Sequence, residues 1–193
     1  MYKIGMWGQY GDGGQIADGQ AVRTTIMTKE LQRKYGAEKV GIVNTNNWRK
    51  HPAKFLWNSF RLVANSKNVA IAPADNGFKV FVPILLFFNL FYRRKLIYIV
   101  IGGFLPHLLD KKPQYKRMVN SFSALFVQTV NIKKDLEERG VRNIYLLTNL
   151  KRLNTRKVED ISMNNEKNIK LCVFSRINRE KGVEDAIHAV RLA

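Results

Sequence analysis

Ser175, Arg176, Lys181 and Gly182 stand between an apolar run at 169–174 and a helical pattern at 183–192. A strand, a turn carrying two cations and then a helix start make a good seat for a diphosphate. The Arg176 guanidinium can fork onto phosphate oxygens, Lys181 adds a compact positive charge, and the unpaired N–H groups of the helix start point at the same anion. A second candidate group is Gly19 and Gln20, at the end of the glycine-rich stretch 8–20 that follows the first strand-like run. Glycines let the backbone approach a phosphate or sugar closely, and a helix starting near Gln20 offers free donors. The spacing does not fit the tight G-x-G-x-x-G dinucleotide fingerprint, and an ordinary flexible loop reads equally well. A third group is Gly102, Gly103 and His107, in the turn closing the fourth strand-like run. There the glycines either make room for a substrate or turn the chain. His107 is the one candidate catalytic residue, as a base or a donor to a sugar hydroxyl, against a plain reading as a helix-start residue. Asp75, Asn76 and Gly77 follow the third run in the same way. No His, Cys, Asp or Glu cluster has metal-ligand spacing and no Ser-His-acid set can be assembled, so neither metal nor cofactor is expected.

These groups need elements to hold them. Strand-like runs at 2–7, 40–43, 69–72, 96–101, 124–127, 144–147 and 169–174 alternate with helical patterns at 20–35, 52–64, 130–139 and 183–192. The runs are short, apolar on both faces and rich in Val and Ile, as in a parallel sheet covered by helices on each side. Gly36 and Gly140 are natural helix stops. The expected fold is α/β, a Rossmann-like doubly wound parallel sheet over 1–150. The polar stretch 151–168 reads as a linker, and 169–193 as the first βα unit of a second domain too short to bury a core of its own.

Composition narrows the function classes. With 46% apolar residues the chain can bury a core, which excludes wholesale disorder. Its net charge of +18 points to an anionic partner, against a solvated surface tuned for solubility. The excess is dense at 111–157, where twelve Lys or Arg face three Asp or Glu. Cys172 is the single cysteine, so an intrachain disulfide is excluded and a reducing compartment fits; inside an apolar strand it reads as a buried, inert thiol. The start of the chain has no apolar stretch suited to a signal peptide. The run 78–92 is strongly apolar, but Pro83 and Asn89 interrupt it and it falls short of the ~20 residues that span a bilayer. It reads as a buried or membrane-surface helix, with Phe81, Leu85, Phe88 and Tyr92 covering the sheet and nearby cations meeting anionic headgroups.

On these residues the chain resembles the retaining glycosyltransferases of family four, whose GT-B architecture has two Rossmann-like domains facing a cleft. The most specific likeness is Ser175-Arg176-x-x-x-x-Lys181-Gly182, similar to the motif at the start of that family's second domain. Asp18-Gly19-Gln20, the turn Ile101-Gly102-Gly103-Phe104-Leu105-Pro106 and Leu147-Thr148-Asn149-Leu150-Lys151 look like stations in the first domains of bacterial polysaccharide members. The resemblance implies that Arg176 and Lys181 hold the diphosphate of a nucleotide-sugar donor. It also implies that Gly19, Gln20, Gly102 and Gly103 line the reaction centre or the acceptor side. The acceptor would be lipid-linked or a polysaccharide, and the enzyme would work peripherally on the cytoplasmic face of the membrane. The family's acidic E-x₇-E-type segment, which holds the sugar and ribose, would lie beyond Ala193. The expectation is therefore a hexosyltransferase or its N-terminal half, with the activity of the chain by itself left open. Two alternatives stand beside it: a basic nucleic-acid-binding protein, for which no recognisable module is present, and an inactive truncated remnant.

Overall fold

The computed structural model describes residues 1–11, 19–148, 171–173, 175, 177 and 179–192. The chain divides into two compact units, Met1–Arg152 and Leu153–Ala193.

The first unit is built on a six-stranded sheet: β1 (Tyr2–Gly8), β2 (Val40–Asn44), β3 (Ser66–Ala72), β4 (Lys95–Ile99), β5 (Ala124–Val127) and β6 (Ile144–Leu146). The strands lie in the order β2-β1-β3-β4-β5-β6, and every neighbouring pair is parallel. Among the described residues six α-helices connect or flank them: α1 (Gly19–Tyr35), α2 (Pro52–Ala64), α3 (Asp75–Tyr92), α4 (Phe104–Lys111), α5 (Tyr115–Asn120) and α6 (Val130–Glu138). The chain steps one way from β1 to β2 and the other way ever after. Right-handed crossovers then put α1 on one face and the later helices on the opposite face. This is a Rossmann-like doubly wound fold. Its reversal of direction falls between β1 and β3, which opens a crevice beyond the carboxyl ends of those strands.

The two faces have separate cores. On the larger side Trp7, Ile71, Tyr98 and Leu125 of the sheet are buried together with Phe78 and Leu85 of α3. On the α1 side Met6, Ala70, Ala72 and Ile99 pack with the half-buried Met27 and Leu31. Close approach of α2 to the sheet depends on Gly41: a Cβ there would stand 2.6 Å from Leu62 Cδ1 and 2.6 Å from the Tyr2 ring.

Local chemistry sets the helix ends. Gly36, at φ 91°, closes α1 by donating its N–H to the Gln32 carbonyl at 2.8 Å. Pro52 opens α2, where its missing N–H costs nothing. Thr129 Oγ1 accepts from the Ile132 N–H and so caps α6. Helix α3 runs through Pro83, whose ring removes one helical hydrogen bond; burial of Phe78, Phe81, Val82 and Leu85 holds the helix together around it. Asn89 ends the helix. Its carbonyl accepts from Arg93 at 2.8 Å and its Oδ1 accepts from the Arg94 N–H at 2.7 Å.

Three details differ from the sequence expectations. Helices α4 and α5 occupy a stretch read as a glycine turn and a basic segment; Leu105, Leu108 and Leu109 are the buried side of α4. Of the aromatic run in α3, Phe81 is buried and Phe88 and Tyr92 are half-buried as expected, but Phe87 and Phe91 are exposed. In the second unit, Leu171–Val173 lie in no strand and Cys172 is exposed, not buried. Among the described residues no strand pairs with them, which leaves the thiol in the open; positions 169, 170 and 174 lie outside the described residues. The regular structure among the described residues of this unit is a 3₁₀ turn, Arg179–Lys181, leading into α7 (Val183–Leu192). No described helix is long and apolar enough to cross a membrane.

Candidate functional site

The crevice at the β1/β3 reversal is a cleft of about 390 Å³. Loops from three strands line it. Gln9 follows β1, Thr45, Asn46, Asn47, Trp48 and Arg49 follow β2, and Ala74, Asp75, Asn76 and Gly77 follow β3. Gln20 enters from the first turn of α1, and Val80 and Phe81 from α3. The floor is aromatic: Trp48 meets Phe81 edge-on at 5.8 Å and Phe55 at 5.9 Å, and both phenyl rings contact the buried Trp7.

The walls are held by hydrogen bonds between loops. Asn44 Oδ1 accepts from the Tyr10 N–H at 3.1 Å and the Asn46 N–H at 2.9 Å, and the Thr45 N–H donates to the Gly8 carbonyl at 2.9 Å. The loops after β1 and β2 are thus tied to each other. Asn47 takes a left-handed backbone, φ 52°, which asparagine tolerates better than most residues. Across the cleft, Gln20 Nε2 donates to the Ala72 carbonyl at 2.9 Å and pins the start of α1 to the end of β3.

Electrostatically the cleft is nearly balanced. Among its described lining residues Arg49 is the cation and Asp75 the carboxylate. Asp75 sits in the first turn of α3, where the helix dipole favours an anion, and Lys79 lies 3.0 Å from its Oδ1. Below it, burial and the Asp75 charge push the Tyr98 phenol well above its ordinary pKa, so Tyr98 stays neutral. Tyr10 is raised to about 12 by burial, with its 2.7 Å hydrogen bond to Thr28 pulling the other way. On α1 the Arg23 guanidinium is buried. Its Nη2 donates to the Leu147 carbonyl at 3.1 Å, and burial lowers its pKa. That bond ties α1 to the segment after β6.

Of the residues singled out in the sequence, Gln20, Asp75, Asn76 and Gly77 come together here. Gly19 is the exposed first residue of α1 and is not part of the lining. Gly102 and Gly103 are exposed after β4, one strand further along; a Cβ at either would meet nothing, and Gly102 has φ 77°. They serve the turn into α4 and do not line the cleft. His107 is exposed on α4, near Asp110, also outside the lining. Lys181 is exposed at the end of the 3₁₀ turn of the second unit, and Gly182 at φ 63° lies between that turn and α7. Arg176 lies outside the described residues. Sequence reasoning missed the β2 loop altogether. Its signal was the run Asn44-Thr45-Asn46-Asn47-Trp48 directly after a strand, on the ligand side of a parallel sheet.

A larger hollow of about 580 Å³ involves Met1, Tyr2, Asn58, Arg61 and Asn65. Met1, Tyr2 and Asn65 mark the amino ends of β1 and β3, where a parallel sheet does not gather its ligand loops. Among the described residues no group of three or more His, Cys, Asp or Glu converges as a metal site. Comparison with family models, with curated proteins and with solved structures returned no match to the chain.

Proposed function

We propose that this chain belongs to a sugar-transferring enzyme and that the cleft beside Trp48 receives the acceptor saccharide. The composition of that cleft carries the reading. Side-chain amides from Gln20, Asn46 and Asn76, with the Asp75 carboxylate, bring hydrogen-bonding groups to a polyhydroxylated ligand, and the half-buried Trp48 adds an apolar ring to the same lining. A cleft lined by one cation and one carboxylate is poorly suited to a nucleic-acid backbone.

The second unit supplies the other half of the reading, since Arg176 and Lys181 are of the right type to hold a nucleoside diphosphate. In the transfer the acceptor oxygen bonds to the anomeric carbon while the bond from that carbon to the diphosphate breaks. The hydroxyl proton leaves to solvent or to the departing phosphate. Cations on the diphosphate lower the barrier by stabilising the charge that develops there. His107 has no role in this reading, because its place on α4 is outside the cleft lining. A lipid-linked acceptor and work at the cytoplasmic membrane face belong to the same proposal.

Titration calorimetry tests it with oligosaccharides, nucleoside-diphosphate sugars and duplex DNA as separate ligands. The proposal expects saccharide binding, and nucleotide-sugar binding weakened roughly tenfold or more by Lys181→Ala. Steeply salt-dependent DNA binding with no response to either sugar ligand would replace it with the nucleic-acid reading, which the net charge of +18 favours.

A further inference from the structure

Helices α2 and α3 present an aromatic surface that the core does not use. Trp57 is 60% exposed, Phe87 57%, Leu90 71% and Phe91 67%. They form one continuous patch. Trp57 stacks on Phe60 at 6.0 Å, Phe60 meets Phe88 edge-on at 5.7 Å, and Phe87 touches Phe88 at 6.0 Å and Phe91 at 5.7 Å. Large aromatics left in water over two adjacent helices call for a covering partner.

The charge around the patch says which kind. From Lys39 to Leu109 the chain carries ten Lys or Arg and one carboxylate, Asp75. Asp75 is paired with Lys79 at the opposite end of α3, about 24 Å along the helix axis from Phe91 at the ordinary rise per residue. The patch end carries exposed Arg61 in the last turn of α2, and exposed Arg93 and Lys95 just after α3. Arg94 is excluded from this set, because its guanidinium is engaged by the Val63 and Ala64 carbonyls. Rings that enter an acyl boundary, ringed by cations without nearby carboxylates on their own helices, match an anionic bilayer surface.

We infer that the α2–α3 face, centred on Trp57, Phe87, Leu90 and Phe91, is a peripheral docking surface for anionic lipid bilayers. This assignment gives the membrane-face part of the proposed function a place on the fold, and it stands on residues that do not line the cleft beside Trp48.

Vesicle flotation of the full chain tests it, with phosphatidylcholine vesicles and with phosphatidylcholine vesicles containing a minority of phosphatidylglycerol. The chain should float with the anionic vesicles and much less with the neutral ones. Phe87→Ser with Phe91→Ser should weaken anionic binding roughly tenfold or more. Arg93→Glu with Lys95→Glu should weaken it by roughly fivefold for each cation lost, and more for the reversal. All four positions are exposed, so unchanged circular dichroism and melting temperature should accompany the loss. Equal binding to both vesicle types, or undiminished binding by the Phe87→Ser/Phe91→Ser variant, overturns the assignment. So does absence of lipid binding together with a dimer, seen by sedimentation, that the same variant dissociates. Saccharide binding measured in parallel separates a failure here from a failure of the cleft.

Discussion

Arg94→Ala removes a device that closes α2 from outside its own sequence. The last carbonyls of any helix lack partners within it and carry its negative dipole end. Arg94 Nη2 donates to the Ala64 carbonyl at 2.7 Å, Nε donates to the Val63 carbonyl at 3.3 Å, and the guanidinium lies 5.5 Å from the Tyr92 ring centroid. A hydrogen bond from a charged donor contributes about 1.5–3 kcal/mol. Here the longer bond is weak and water replaces part of the loss at a half-buried side chain. The net cost of Arg94→Ala is therefore about 1–3 kcal/mol, with the ring contact included. For a protein of this size that is a fall of roughly 2–10 °C in Tm. The backbone N–H of Arg94 keeps its bond to Asn89 in the variant, so the experiment isolates the side chain. Arg94→Lys retains the charge but loses the fork, and should recover about half of the stability at most. Urea unfolding followed by circular dichroism measures both. An Arg94→Ala midpoint equal to that of the parent chain would refute the reasoning.

Further predictions concern pH and packing. Arg139 holds Asp110 by two hydrogen bonds, 2.7 and 2.8 Å, which keep the Asp110 carboxyl below its ordinary pKa. Its contribution to stability is present above the unfolded value of about 3.9 and is lost as pH falls through the lower folded value. Carbon-detected NMR should find Asp110 titrating late on acidification, and at an ordinary pH in Arg139→Ala. Among the seven tyrosines, Tyr10 should ionise only near pH 12, and Tyr98 should also ionise well above the ordinary phenol range, in an alkaline absorbance titration. Because the Tyr10 folded value is raised, its contribution is intact below the unfolded pKa of about 10 and disappears as pH rises through about 12. Gly41→Val would drive a side chain into Leu62 and Tyr2 and should cost about 1–3 kcal/mol, part of it recovered by Leu62→Ala in the same chain.

The sheet was legible because its signals are local. Short runs such as Val40–Asn44 and Ala124–Val127 are branched and apolar on both faces, and Pro52 and Gly36 punctuate the helices between them. Strand order was not legible, since the single reversal between β1 and β3 is a property of chain routing that no residue announces. The outer face of α3 was hidden for a different reason. Apolar residues surround that helix on all sides, so periodicity could not separate the buried Phe81 and Leu85 from the exposed Phe87 and Phe91. In the cleft, Gln20 and Asp75 could be found from glycines and strand ends. Trp48 could not, because an isolated aromatic after a polar turn looks like core, and it becomes a cleft floor only when the β2 and β3 loops converge.

The most direct test of the central claim is the response of Trp48 to saccharides. Trp57→Phe leaves Trp48 as the half-buried indole beside the fully buried Trp7. In that background, titration with a panel of disaccharides should shift the Trp48 indole N–H resonance saturably. Asp75→Asn or Asn76→Ala should weaken the binding by roughly tenfold. A Trp48 signal that no saccharide moves, or one that moves with the same affinity in both cleft variants, would contradict the account.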